Sequence, residues 1–219
     1  MPPDFKLIYA DEALLVLDKP SGLLSVPGRG ADKQDCLSLR VQQQFADACV
    51  VHRLDMATSG LLLMARGAAM QRLLNAAFAA RTVHKRYEAL VSGLLQPAPD
   101  AVDAHGWGDI TLPIRIDWPQ RPRRVIDTEL GQPSYTRWRV LAHDGASPST
   151  RLALEPITGR SHQLRVHLQA IGHPILGDAL YAPPAIAAQT SRLMLHACHL
   201  SLTHPISGAT LTLDSPAPF

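Results

Sequence analysis

The chain predicts an α+β fold with a largely antiparallel sheet. Strand-like runs outnumber helical ones, and they are joined by short turns as often as by helices. No internal repeat, low-complexity tract or clean linker divides the 219 residues. One chain of this length can bury a substantial core, as one large domain or two small ones.

The elements follow in order. Leu7 to Leu17 holds two extended apolar stretches broken by Asp11-Glu12, the pattern of a hairpin. Lys19 to Gly30 is a Pro/Gly-rich loop. Leu37, Val41 and Phe45 recur at helical spacing, with Asp35 as the expected cap. The short apolar run Leu61 to Ala65, bounded by turn residues, reads as a buried strand. Met70, Leu73, Leu74, Ala77 and Phe78 mark an amphipathic helix. Alternation around Tyr87 places that residue on a strand. The stretch from Gln96 to Pro133 is interrupted by Pro and Gly and has weak periodicity. Strands are expected again at Tyr135 to Leu141 and Arg151 to Pro156, then a helix capped by Ser161 and closed by Gly172. Leu193 to Thr203 and Ala209 to Leu213 read as the closing strands.

Composition excludes several classes. With 46% hydrophobic and 18% charged residues the chain is globular and not disordered. No apolar run approaches membrane-spanning length, and Met1 to Lys6 lacks the pattern of a signal peptide. Cys36, Cys49 and Cys198 are odd in number and far apart, so neither a zinc knuckle nor a disulfide framework is indicated. Reduced thiols in a cytoplasmic protein are expected. The net charge of +2 does not by itself announce a nucleic-acid partner. Seventeen of the 21 basic residues are Arg, which suits phosphate and base recognition; a compositional bias of the source would give the same count.

The most informative segment is His52-Arg53-Leu54-Asp55-Met56-Ala57-Thr58-Ser59-Gly60. It sets a carboxylate on a loop that leads directly into the Leu61 to Ala65 strand, where a rigid scaffold can hold a reactive group. An Asp there can equally serve as a turn former. Three more segments stand in order along the chain: Lys19 to Gly28, Lys85 to Val91, and Gly159 to Leu168 followed by Gly172 to Asp178 and Tyr181. Together these resemble the catalytic loop, first motif, tyrosine strand and third motif of the RluA-type pseudouridine synthases. The short length and the Leu112 to Pro119 segment resemble the subgroup acting on both a transfer RNA and large-subunit ribosomal RNA.

The resemblance implies one catalytic domain over residues 1–219, with a bent mixed sheet and an RNA-binding cleft. The first motif begins near Lys19, which leaves no room for the small S4-like RNA-binding module that many relatives carry before the catalytic domain. It also implies that Asp55 attacks a flipped-out uridine as nucleophile, or removes a sugar proton as base. Both routes need an ionised carboxylate, and the resemblance makes Arg165 its cationic partner, able to grip it with a planar fork. Tyr87 is expected to stack on the base and assist with its hydroxyl, since a phenol of pKa ~10 is a poor base at neutral pH. The family needs no metal or organic cofactor.

Further RNA contacts are expected from Arg53, which can fill the stack the uridine leaves or meet a phosphate, and from Thr58, Arg160 and His162. His52 reads as a hydrogen-bonding loop residue beside the RNA and not as a catalyst. Arg115, Trp118, Arg121, Arg123 and Arg124 interleave basic and aromatic groups, which suits single-stranded loops; a solvated loop has the same composition. The pairs His162/His167 and His196/His199 lack the Glu of a zinc helix, so structural histidines are expected. The leading reading is a monomeric isomerase making pseudouridine at an anticodon-loop uridine of tRNA and a hairpin-loop uridine of 23S rRNA. The alternatives are the same chemistry on rRNA only, or an RNA-binding protein without catalysis.

Overall fold

The computed structural model describes residues 5–145 and 147–219. Residues 1–4, where the sequence shows no leader pattern, lie outside them. The chain divides into two compact units. The first takes residues 1–85 and 196–218, and the second takes 86–195 with Phe219.

In the first unit, β1 (Lys6–Ala10) and β2 (Leu14–Lys19) form the expected hairpin. Next to β2 lies β4 (Ser59–Arg66), antiparallel, with Leu14 opposite Ala65 and Lys19 opposite Gly60. The other edge of β4 takes β3 (Ala48–Val50) at one end and β11 (Leu195–Thr203) at the other. The β11 pairing is parallel, with His196 opposite Ser59, and β12 (Thr210–Asp214) completes the sheet. β2 and β4 are buried almost end to end. This explains their unbroken apolar runs: both faces are covered, so no alternation is required. Leu61, Leu63 and Ala65 share a cluster with Leu14, Val16, Leu200, Leu202 and Leu74. Leu74 comes from α2 (Gly67–Ala79), the amphipathic helix the spacing predicts, with Leu73 left exposed.

One expectation here is corrected. α1 spans Leu37–Gln42 and starts from Cys36 in extended conformation. Asp35 does not cap it and instead pairs with Arg40 at 2.7 Å. Phe45 falls in the turn that follows the helix, its amide still reaching Val41 at 2.9 Å.

In the second unit the antiparallel order is β5 (His84–Ser92, from Arg86 onward), β10 (Ser149–Pro156), β9 (Thr136–Asp144) and β6 (Trp107–Ile110). A separate hairpin pairs β7 (Ile114–Ile116) with β8 (Arg124–Ile126). The weakly periodic region therefore holds three strands of three or four residues. α3 spans Gln163–Ala170 and begins one residue later than its Ser161 cap would place it. His162 occupies that position with φ +59°, in the left-handed region. Gly172 closes the segment at φ +83°, as expected. α4 (Pro184–Ala187) is a single turn. Mostly antiparallel sheet with few helices makes the fold α+β.

Gly60 carries a strict backbone constraint. Its φ is +109°, and a Cβ there would run into the backbone of Ala197 on β11. The Gly60→Ala variant is expected to lose about 3 kcal/mol or more of stability. A urea midpoint equal to wild type would show that β11 can shift aside.

Candidate functional site

Asp55 sits half-buried in the loop between β3 and β4, and the first motif holds that loop on both sides. On one side the Ser25 hydroxyl donates to the Leu54 carbonyl at 2.7 Å and accepts the Leu54 amide at 3.1 Å. On the other, the Met56 carbonyl takes the Gly22 amide at 2.8 Å and the Lys19 ammonium at 3.0 Å. The Ser21 hydroxyl reaches the Ala57 carbonyl at 2.7 Å. Within the loop, the Thr58 amide closes a turn on the Asp55 carbonyl at 3.1 Å. Lys19 is fully buried and also donates to the carbonyls of Pro20 and Leu23. The role of the Lys19 to Gly28 segment is thus visible: it fixes the backbone immediately before and after the carboxylate.

The loop residues expected to meet RNA divide. Arg53 is exposed. Thr58 is only 3% exposed where the turn enters β4, and does not offer the surface an RNA strand needs. His52 turns inward: its Nε2 accepts the Leu63 amide at 2.9 Å, and its ring lies 4.8 Å from that of Phe78.

In the second unit Tyr87 is buried on β5, opposite Leu154 of β10. Arg165 is not on a helix surface. All of α3 from Gln163 to Leu168 is buried, and each polar member is matched. Gln163 donates to Tyr135 and Thr136, both at 2.9 Å. His167 bridges Thr136 and the Leu112 carbonyl, and burial lowers its pKa. Arg165 meets Asp178 through Nε at 2.8 Å and Nη2 at 2.7 Å. That edge of the fork is committed to Asp178, which leaves the Nη1/Nη2 end of the guanidinium to meet another acceptor. Asp178 and Tyr181 lie in the third motif, yet nothing in residue type or spacing marks them as partners of Arg165.

The arginine-rich segment forms β7, β8 and their connecting turn. Arg115, Trp118, Arg124, Arg160 and Ser161 line one surface pocket of about 550 Å³, with Leu130. Trp118 and Leu130 are 62% and 72% exposed, unusual for large apolar side chains. Arg121 lies over the Trp118 ring at 4.6 Å. Arg123 does not line the pocket; it bonds Gln120 and faces the Tyr181 ring. Arg115 is paired with Asp127 at 2.7 Å. His162 is bound at Nδ1 to the Tyr181 hydroxyl at 2.6 Å.

The histidine pairs have protein partners: His196 meets Ser59 at 2.8 Å, and His199 meets Asp214 at 2.7 Å. Among the described residues no group of three or more His, Cys, Asp or Glu could hold a metal ion. Cys36, Cys49 and Cys198 are not joined in disulfides. No helix among the described residues is long and apolar enough to cross a membrane.

His52 also sets a pH dependence. Burial, then the nearby charge of Lys85, push its pKa down to about 3. The unfolded imidazole titrates near ~6.5. Below that pH the unfolded chain takes up a proton that the folded chain refuses until about pH 3. Stability therefore falls as pH drops through this window, with a limiting slope of about 1.4 kcal/mol per pH unit. The His52→Gln variant, which can still accept the Leu63 amide, is expected to flatten the difference between urea midpoints at pH 7.5 and pH 5. An unchanged difference would remove His52 as its source.

A model of the RNA pseudouridylate synthase family matches residues 13–170. The dual-specificity RNA pseudouridine synthase RluA of Escherichia coli (strain K12) is 45% identical over 217 residues, covering 99% of this chain and 95% of that protein. The protein of that name from Yersinia pestis is 46% identical over 213 residues, covering 97% and 99%. The solved structure of human RNA Pseudouridylate Synthase Domain Containing 1 superposes with a TM-score of 0.79 at 29% identity, over 99% of this chain and 85% of that one. The chain belongs to the RNA pseudouridylate synthase family and is an isomerase that makes pseudouridine in RNA.

Proposed function

We propose that the whole chain works as one catalytic domain on two targets, an anticodon-loop uridine of tRNA and a hairpin-loop uridine of 23S rRNA. The dual-specificity name of its relatives supports two targets. The family match, which runs from residue 13 to residue 170 through both units, supports one domain. The reading further takes the enzyme to be a cytoplasmic monomer working without metal or cofactor.

The single observation that carries the chemistry is the loop at Asp55, whose neighbours Leu54, Met56 and Ala57 are all hydrogen-bonded to the first motif. A carboxylate on a clamped backbone is pre-positioned for a reacting carbon, as covalent or general-base catalysis requires. The N1–C1′ bond of uridine breaks, the base turns, and C5 bonds to C1′. The proton leaving C5 is balanced by one gained at N1. Asp55 acts at the sugar as nucleophile or base. Tyr87 stacks on the base, with its hydroxyl assisting at C5. Arg165 supplies positive charge that keeps the reacting carboxylate ionised. Arg53, exposed on the same loop as Asp55, fills the stack vacated by the uridine.

The pocket of Arg115, Trp118, Arg124 and Arg160 binds the RNA loop. Exposed apolar faces beside guanidinium groups match unstacked bases beside phosphates. Arg121 and Arg123 add charge on the same segment, and His162 and Arg160 flank the entry to α3.

The deciding assay is pseudouridine-specific. Wild type and Asp55→Ala are incubated separately with tRNA transcripts and large-subunit rRNA. Wild type is expected to modify one loop uridine in each, and the variant neither. Modification of one RNA alone would narrow the specificity, and RNA binding without any pseudouridine would leave a binding protein. Charge reversal at Arg115, Arg124 and Arg160 is expected to weaken RNA binding and to lower the slope of log Kd against log salt by about one for each phosphate no longer neutralised. An unchanged slope would take the pocket out of the interface.

A further inference from the structure

Arg165 has 5% side-chain exposure, and the carboxylate that grips it, Asp178, is fully buried. Oδ1 of Asp178 also accepts the amides of Leu180 at 3.0 Å and Tyr181 at 3.2 Å. The carboxylate cannot rotate away from the guanidinium without breaking these bonds too. The Tyr181 ring lies 5.0 Å from Cζ of Arg165 and is itself buried. A cation over an aromatic face at this range gains from the ring quadrupole, and its plane is set by it.

The Tyr181 hydroxyl reaches further. It accepts the backbone amide of Arg124 on β8 at 2.8 Å and stands 2.6 Å from Nδ1 of His162. The Arg124 amide can only donate, so the hydroxyl keeps its own hydrogen to give, and Nδ1 is placed to take it. Arg123 of the same hairpin lies 5.7 Å from the same ring. One phenol thus joins the hairpin of the basic pocket, the left-handed residue that opens α3, and the guanidinium on α3.

We infer that Asp178 and Tyr181 are positioning residues for the isomerisation. The carboxylate and the ring fix the guanidinium of Arg165, and the phenol hydroxyl makes that orientation depend on the arginine-rich hairpin. The inference rests on the role of Arg165 proposed above.

The test is a double-mutant cycle on single-turnover pseudouridine formation, using a tRNA or rRNA transcript that wild type modifies. Arg165→Lys, Tyr181→Phe and the double variant are compared, with RNA affinity and thermal midpoint measured beside them. Wild-type turnover in Arg165→Lys would remove Arg165 from the chemistry and this inference with it. Given a slow Arg165→Lys, the Tyr181→Phe variant is expected to turn over about tenfold slower with affinity within about twofold. In the Arg165→Lys background it should add nothing, because a residue acting through another is silent once that other is gone. Equal slowing in both backgrounds, or an unaffected Tyr181→Phe, would overturn the inference while leaving Arg165 in place. If Tyr181→Phe does not fold, Asp178→Asn answers the same question. It keeps an oxygen for the two amides and withdraws the charge from Arg165; non-additivity supports the inference and additivity overturns it.

Discussion

The buried ammonium of Lys19 is the constraint on which the first unit depends. Moving such a charge out of water costs several kcal/mol unless its donors are matched. Its matches include carbonyls from two loops, Pro20 and Leu23 on one and Met56 on the other. Neither loop can change course without stripping an acceptor from that charge. Lys19 ends β2 and stands opposite Gly60 of β4, so both loops leave the sheet at neighbouring points. The serine clamps on Leu54 and Ala57 follow from that shared exit. The rigidity of the segment around Asp55 is inherited from a cation held wholly out of solvent.

The second unit solves a similar problem with paired charges. α3 is buried on every side from Gln163 to Leu168, so its polar side chains must find partners inside the protein. Arg165 finds Asp178, Gln163 finds Tyr135 and Thr136, and His167 finds Thr136 and Leu112. Each partner also fixes a rotamer, which is the support a functional group requires. The arginines at the surface contrast with this. Arg115 and Arg121 keep solvent exposure and lie beside Asp127 and Trp118.

Local pattern makes some of this legible and tertiary context hides the rest. β2 and β4 are legible as unbroken apolar runs because nearly every residue in them is buried, and α2 shows through the helical spacing of Met70, Leu74, Ala77 and Phe78, which pack on the same core. β6, β7 and β8, at three or four residues among Pro and Gly, are too short to show one. The start of α3 departs from its expected cap because His162 takes a left-handed conformation beside a hydroxyl nineteen residues away, which no local rule encodes. Asp35 looks like a cap by residue type, yet its carboxylate finds Arg40 instead. At the site, Asp55 and the arginine cluster stand out by motif and composition. Ser25, Asp178 and Tyr181 fall inside motif segments, but what each one holds is hidden because their partners are distant in sequence.

The way the sheet of the first unit is threaded has a consequence for biosynthesis. Its strands β1 to β4 leave the ribosome early, but the parallel edge of β4 waits for β11, and Ser59 meets His196 only after 137 further residues are made. Until then the Ser59–Gly60 end of β4, on the edge that β3 covers only at its far end, presents unpaired backbone, the kind of edge that recruits other chains. Closing so long a loop is also slow, since its entropy is lost before any new bond compensates. Nascent chains of this protein should therefore depend on chaperones most in the interval before β11 emerges.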